Sequence, residues 1–163
     1  MNLDSLRDVF HEQMKDIYSA EKQLTEAMPD LIKAASSSKL KEAFESHLEE
    51  TKHHMETVRK ILDDMDVNPG NTKCDAMEGL VEEARAMANK KGDKDARDAG
   101  IICAAQKAEH YEIATYGSLR TWAKMLGETD IADTLNELLD QEYSADNKLD
   151  KLAENYLNEK AMS

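Results

Sequence analysis

"AAQKAEHYEIATYG", residues 104–117, is the stretch that decides the fold, because it has the pattern of a long helix with acids on its apolar side. When successive residues are placed 100° apart, one stripe contains Ile102, Ala105, Glu109, Glu112, Tyr116, Leu119 and Ala123. Five of these residues suit a buried seam between helices, whereas Glu109 and Glu112 are carboxylates on the same seam. A helix that directs two acids toward its neighbours requires a physical reason.

Two other helical stretches show the same anomaly. The stripe of the first consists of Phe10, Met14, Ile17, Glu21, Leu24, Met28 and Leu31. The stripe of the last consists of Ile131, Leu135, Leu138, Glu142, Leu149 and Tyr156. Glu21 is the single charge in the first stripe and Glu142 the single charge in the last, with Asp146 one turn later on the same side.

The second helical stretch is less regular. Its apolar stripe consists of Phe44, Leu48, Thr51, Met55, Val58 and Leu62. Glu50 lies on the flank of that stripe, with His47 and His54 between the two. The simplest interpretation of His47, as of His11 and His110, is a surface or structural role.

The four acids Glu21, Glu50, Glu109 and Glu142 lie near the midpoints of their helices. Helices rise about 1.5 Å per residue, so helices packed side by side would hold these carboxylates at one level. The sequence therefore predicts a ring of carboxylates halfway along a helical bundle.

Burial of bare carboxylates is too costly to be accidental. Each unpaired one costs on the order of several kcal/mol, against a domain stability of about 5–15 kcal/mol. The acids must be protonated, paired with bases or bound to cations, and few Lys or Arg residues fall on the seams. Hard oxygen ligands favour Mg, Mn, Ca or Fe. Carboxylates from all four helices of a bundle are typical of di-iron or di-manganese centres.

Composition narrows the class of protein. The 163 residues are 34% charged and 40% apolar with only six Gly and two Pro, which favours a helical domain. The net charge of −13 argues against nucleic acid and anionic membranes as partners. No apolar run approaches the ~20 residues of a membrane span, and two isolated cysteines are typical of reduced thiols. We expect a cytoplasmic protein.

The breaks between helical stretches predict the topology. Helices are predicted at about 3–35, 39–66, 75–91, 95–126 and 129–157, all within a single domain of residues 1–163. Tight connections join the first two long helices and the last two, and nearly thirty residues with an extra short helix lie between the pairs. Two hairpins and one long crossover predict an all-α, ferritin-like four-helix bundle.

Four segments of the chain resemble a known family. They are "DIYSAEKQL" (16–24), "HLEETKHH" (47–54), "AAQKAEHYEIATYG" (104–117) and "LLDQEYSADNKL" (138–149). Together they resemble the YciF-like family of bacterial ferritin-like proteins, which is similar in fold to rubrerythrins and manganese catalases. The resemblance covers nearly the whole chain and implies a dimeric, cytosolic, stress-associated protein.

The resemblance also implies a set of metal ligands. The rubrerythrin pattern, placed on this sequence, would make ligands of Glu21, Glu50, Glu109, Glu112 and Glu142. It also matches the spacing of seven residues between Glu109 and Tyr116.

The sequence departs from the di-iron pattern at its histidines. Glu50 and His53 have the Glu-x-x-His spacing, yet helical geometry turns His54 toward the apolar stripe and His53 away, so we favour His54. On the last helix the same spacing from Glu142 gives Ala145. Either Asp146 replaces that ligand or the ligand is missing.

Three functions are compatible with these residues. A dinuclear Fe or Mn centre would handle peroxide or oxygen under stress, with an open coordination position for the oxidant. A metal-binding module would sequester or sense metal without turnover. A structural or interaction homodimer would carry a degenerate, metal-free site.

Overall fold

The computed structural model describes residues 3–162 and shows an all-α bundle, as predicted. Its five main helices are α1 Leu6–Ala34, α2 Ser38–Asp64, α3 Asp75–Ala88, α4 Lys94–Met125 and α5 Thr129–Leu152. A π-helical turn, Ala153–Leu157, follows α5 directly and leads into the short helix α6, Asn158–Ala161. The last helix was predicted at 129–157, and helical backbone of changing type occupies that range and continues beyond it.

The connections position the helices as two hairpins. Three residues join α1 to α2 and three join α4 to α5, and within each pair the helices pack along their length. Gly127 has a φ of 79° in the second connection, where a side chain would strain the backbone. The crossover carries α3, which packs against both α1 and α4.

The start of α2 is fixed by an acid from α4. Ser37 is the N-cap residue, but its side chain makes no capping hydrogen bond. The fully buried carboxylate of Asp98 instead accepts hydrogen bonds from the backbone N–H of Ser36 at 2.9 and 3.1 Å and of Ser37 at 2.7 Å. These bonds satisfy N–H groups that a helix start leaves without partners, and they join the two hairpins.

The apolar core is divided into two clusters. One contains residues such as Phe10, Val58, Tyr116, Leu119 and Leu135. The other contains residues such as Leu31, Phe44, Ile101, Ile102 and Leu149. On α2, α4 and α5 the buried acids and histidines lie between the residues of these two clusters. We call these buried acids and histidines the polar layer. It lies halfway along the bundle, with apolar packing on both sides of it.

Among residues 3–162, none of the helices combines the length and the apolar character that a membrane crossing requires.

Candidate metal centre

Five of the six ligands predicted from the sequence meet in the polar layer. Their side chains come from all four long helices and are at most 2% exposed; they are Glu21, His54, Glu109, Glu112 and Glu142. The four acids lie on the apolar stripes of their helices and His54 lies beside that of α2, so the packing of those stripes brings the five residues together.

Glu21, His54 and Glu142 form the first group, in which one donor atom from each residue lies within 4.8 Å of the others. His54 Nδ1 is 2.7 Å from Glu142 Oε1 and 3.7 Å from Glu21 Oε1. Although the first contact is short, neither His54 Nδ1 nor Glu142 Oε1 is aligned for a hydrogen bond. Two ligands of a common cation approach each other in this way.

His47, Glu109, Glu112 and Glu142 form the second group, whose donor atoms also lie within 4.8 Å of one another. The Nε2 atom of His47 is 2.7 Å from Glu109 Oε1. Glu142 belongs to both groups, so its carboxylate could bridge two cations.

The carboxylates of the centre lack protein partners for much of their hydrogen-bonding capacity. Among the described residues, seven buried atoms of the centre have no aligned partner: Glu21 Oε2, His54 Nδ1, Glu109 Oε2, both carboxylate oxygens of Glu112 and both of Glu142. Orphaned buried polar atoms are rare in native proteins and call for an explanation such as a bound ion.

Burial and mutual repulsion raise the pKa values of three of the acids. Burial is the largest cause for Glu112, and the charges of Glu142, Glu21 and Glu109 add to it, so its pKa is well above the usual range. Burial also raises the pKa of Glu21 and raises that of Glu142 to about 7, although His54 acts in the opposite direction. The centre therefore disfavours this density of negative charge unless cations enter it.

The nearby carboxylates also raise the pKa values of the two histidines, which favours their positively charged forms. Burial alone would lower the pKa of His54, but its contacts with Glu142 and Glu21 outweigh burial and raise the pKa to about 10. Burial would also lower the pKa of His47, but its contacts with Glu109 and Glu50 outweigh burial and hold that pKa well above its usual value. Two imidazolium groups would still not neutralise four carboxylates. The donor set is therefore incomplete without further positive charge.

Two neighbours orient these ligands. The hydroxyl of Tyr116 donates a hydrogen bond to Glu21 Oε1, and burial followed by the charges of Glu21 and Glu142 raises the tyrosine pKa well above its usual value. Tyr116 is therefore a neutral donor. The other ring nitrogen of His54, Nε2, lies 2.7 Å from the amide oxygen of Gln141.

Glu50, the sixth predicted ligand, is not brought into the cluster. Its side chain is 31% exposed and lies 3.5 Å from Lys148 Nζ and 3.5 Å from His47 Nδ1. The hydrogen bond with His47 is the main cause that lowers the Glu50 pKa. The position on the flank of the α2 stripe, noted from the sequence, is enough to direct this carboxylate outward.

His47 takes the place expected for Glu50, and sequence reasoning missed it. His47 and His54 are seven residues apart, which places them on the same face of a helix two turns from each other. That spacing was the available signal. A single histidine beside an apolar stripe is compatible with a surface role, whereas the pair His47 and His54 indicates a common inward face.

The remaining candidates lie outside the polar layer. His53 is exposed, in agreement with the choice of His54. Asp146 lies 3.2 Å from Nε2 of the exposed His110 and accepts a hydrogen bond from Gln106. Asp146 therefore does not replace the histidine of the di-iron pattern on α5. Ala145, which stands at that position of the pattern, has no side-chain donor atom.

The donor chemistry of the cluster could hold a divalent metal ion. Imidazole and carboxylate together suit iron, manganese or zinc, whereas calcium and magnesium prefer oxygen alone. The ligand position at Ala145 adjoins a cavity of about 20 Å³ that His47 also lines. That volume can hold one water-sized molecule, so an exogenous ligand could complete the second group.

Comparisons with known proteins find full-length relatives. The family described as "Domain of unknown function (DUF892)" matches residues 5–162. Protein YciF of Escherichia coli is 45% identical over 162 residues, which are 99% of this chain and 98% of YciF. The crystal structure of the E. coli stress protein YciF has a TM-score of 0.91 at 44% identity, covering 95% of this chain and 98% of that one. The structure of YcfI from Rhodopseudomonas palustris has a TM-score of 0.87 at 38% identity, covering 91% of this chain and 95% of that one.

Proposed function

The chain belongs to the DUF892 family, and from this membership and the polar layer we propose that it binds two divalent ions, iron or manganese, in the centre of its bundle. The observation that carries the proposal is the position of Glu142. It is the one residue common to the two groups of donor atoms among residues 3–162, and both its oxygens lack an aligned hydrogen-bond partner. A carboxylate that bridges two metal ions uses both of its oxygens as metal ligands and needs no hydrogen-bond partner for them.

Each group would hold one ion. Glu21 and His54 would bind the first ion, His47, Glu109 and Glu112 the second, and Glu142 both. Tyr116 fixes the orientation of Glu21. When bound, iron or manganese would supply one-electron redox chemistry and an open coordination position. The protein's own contribution is to hold the carboxylates at one level and to exclude bulk water from them.

We extend the proposal to the handling of peroxide or oxygen under stress. The relative YciF is described as a stress protein. The structural support for an exogenous ligand is the cavity beside Ala145. Ala145 stands where the di-iron pattern has a histidine ligand, and it has no side-chain donor atom. We also propose a cytoplasmic location and a single ferritin-like domain.

The alternative function is a metal-free structural or interaction homodimer. YcfI is described as a candidate structural protein, and the α5 position of Ala145 departs from the di-iron pattern. In that case the raised pKa values of Glu112 and Glu142 would keep the acids partly protonated. The homodimer itself is a proposal, for which light scattering of the purified protein gives the test.

Metal content decides between these functions. The protein is prepared without chelator, loaded with Fe(II) under nitrogen or with Mn(II), separated from free metal and measured by inductively coupled plasma mass spectrometry. We expect two ions per chain for the wild type and for Glu49→Gln, a change at an exposed acid of α2 that pairs with Lys52, and loss of both ions in Glu142→Gln. A wild type that retains no more metal than Glu142→Gln would overturn the proposal.

Turnover is tested only on protein that has retained metal. Fe(II)-loaded protein is mixed with dissolved oxygen or with hydrogen peroxide, and the formation of Fe(III) is followed by absorbance. Oxidation faster than that of free Fe(II) supports the redox function. If metal-replete protein is inactive with both oxidants, the function is metal binding alone.

A further inference from the structure

A second cavity lies beneath α3 and is lined by two residues of the candidate metal centre, His47 and Glu109. It has a volume of about 30 Å³. Its apolar walls include Leu24, Met28, Leu31, Val81, Ala84 and Ala105. His47 and Glu109 line one part of it, and the exposed Arg85 lines another. We refer to this space as the α3 cavity.

The α3 cavity exists because small residues face one another. Ala84 from α3 and Ala105 and Ala108 from α4 are buried at its walls, and longer apolar side chains at these positions would fill it. Interiors are normally packed with few voids larger than a water molecule.

An acid with one unpartnered oxygen lines this space. Glu109 is 2% exposed and lines the α3 cavity, and its Oε2 atom has no hydrogen-bond partner. Glu109 is also one of the proposed ligands of the second ion. The cavity is thus in direct contact with the metal centre.

The chemistry of the walls selects the occupant. A buried water needs two to four polar partners, and the walls supply these only beside His47 and Glu109 or beside Arg85. Hydrogen peroxide and hydrated ions have the same need. A small molecule without hydrogen-bonding groups loses nothing in the apolar part, and the volume of about 30 Å³ is roughly twice the minimum that one water needs, which admits a diatomic molecule and excludes larger ones.

We propose that the α3 cavity binds dioxygen and leads it to the metal centre. The inference rests on the proposed function for its biological meaning, but the binding itself is a property of the metal-free protein. Hydrogen peroxide would have to approach by another path, such as the cavity beside Ala145, which the charged Lys148 and Glu50 also line.

Paramagnetic relaxation by dissolved oxygen tests the binding on metal-free protein. Methyl relaxation is measured under oxygen and under nitrogen for Met28, at the cavity, and for Leu139, in the other part of the core; both are 3% exposed. We expect a larger enhancement at Met28 than at Leu139. Equal enhancement at the two sites would overturn the proposal.

Two valine variants of α3 provide the matched comparison. Ala84→Val fills the α3 cavity, whereas Ala86→Val makes the same change at an exposed position of the same helix. The enhancement at Met28 should be lost in Ala84→Val and retained in Ala86→Val. Its survival in a folded Ala84→Val protein would contradict the proposal. If Ala84→Val does not fold, the comparison of Met28 with Leu139 in the wild type decides alone.

Metal-loaded protein then tests the selectivity. With Fe(II) bound, Ala84→Val should slow oxidation started by dissolved oxygen and leave oxidation started by hydrogen peroxide unchanged. Equal slowing with both oxidants would overturn the selectivity for dioxygen. Failure of the wild type to bind metal would refute the proposed function, while the relaxation result on metal-free protein would still decide the cavity proposal.

Discussion

His47 and His54 lie two turns apart on the same face of α2, and each has a ring nitrogen 2.7 Å from a different buried carboxylate. His47 approaches Glu109, and His54 approaches Glu142. One helix therefore supplies the nitrogen donor of both groups. This arrangement gives the two proposed ions separate imidazoles and a shared carboxylate.

Loss of one histidine should remove one ion. We expect His47→Gln and His54→Gln each to reduce the metal content from two ions to one, because each variant leaves the other group intact. His53→Gln is the control, since His53 is exposed on the same helix. Mass spectrometry of metal-loaded protein gives the count. Loss of metal in His53→Gln with retention in His54→Gln would reverse the assignment.

Removal of one buried charge should change stability in opposite directions with and without metal. Glu112 is the most informative position, because neither of its oxygens has a hydrogen-bond partner. In metal-free protein, Glu112→Gln should raise the free energy of unfolding by about 1–3 kcal/mol, since the amide avoids the cost of burying a charged carboxylate or of protonating it against its ordinary pKa. In protein saturated with Mn(II), the same variant should be stabilised less by the metal than the wild type is.

Urea unfolding with chelator and with Mn(II) measures both effects. Glu49→Gln, at an exposed position of α2 outside the cluster, is the control and should change the metal-dependent increment little. A Glu112→Gln protein whose stability equals that of the wild type in both conditions would contradict burial of this carboxylate.

The fold was predictable because long helices give strong periodic signals. The stripes on α1, α4 and α5 predicted the bundle, and the short connections at 35–37 and 126–128 predicted its hairpins. The interaction of Asp98 with the start of α2 was not predictable. It joins residues more than sixty positions apart, and no local pattern distinguishes a capping acid on another helix from a surface acid.

The centre was predictable to the extent that its residues lie on the middle of a stripe. Glu21, Glu109 and Glu142 met that condition, and the structure buries all three. The flank of α2 was ambiguous, because a rotation of less than one residue decides whether Glu50 or His47 faces inward. Only the packing of α2 against its neighbours fixes that rotation.

The stability of the metal-free protein should fall as pH rises. The pKa of Glu142 is raised to about 7 and that of His54 to about 10, so the folded protein binds more protons than the unfolded chain between their ordinary and raised values. The stabilisation from these protons is present at low pH and is lost as pH rises through the folded pKa values. We expect the melting temperature with chelator to decrease from about pH 5 to pH 10.

Metal should reverse part of this pH dependence. Binding displaces the protons held by Glu142 and His54, so the increase in melting temperature on addition of Mn(II) should grow with pH. A His54→Gln variant should show a flatter profile with chelator above neutral pH. A wild-type melting temperature that rises with pH in the presence of chelator would contradict the pKa shifts.

The buried cap of α2 should be worth more than an exposed cap. Asp98→Ala removes the fully buried acceptor of the Ser36 and Ser37 N–H groups, at an expected cost of about 2–4 kcal/mol. Asp93 caps α4 at an exposed position with two bonds of 2.9 Å, so Asp93→Ala should cost about 1 kcal/mol. Urea unfolding measures both, and equal costs would contradict the cross-linking role of Asp98.

Gln141 should control the metal affinity of the first group through His54. Its amide oxygen lies 2.7 Å from Nε2 of His54, so Nε2 carries the proton and Nδ1 is left to face Glu142 and Glu21. Such partners of a ligating histidine typically change metal affinity by about 10–100-fold. Gln141→Ala should therefore weaken binding of one Mn(II) in calorimetric titration, Gln141→Glu should retain it, and the ion bound by His47 should be unaffected. Nitrogen NMR of protein loaded with diamagnetic Zn(II) shows which ring nitrogen of His54 keeps its proton, and an unchanged spectrum of that ring in Gln141→Ala would show that Gln141 does not position this histidine.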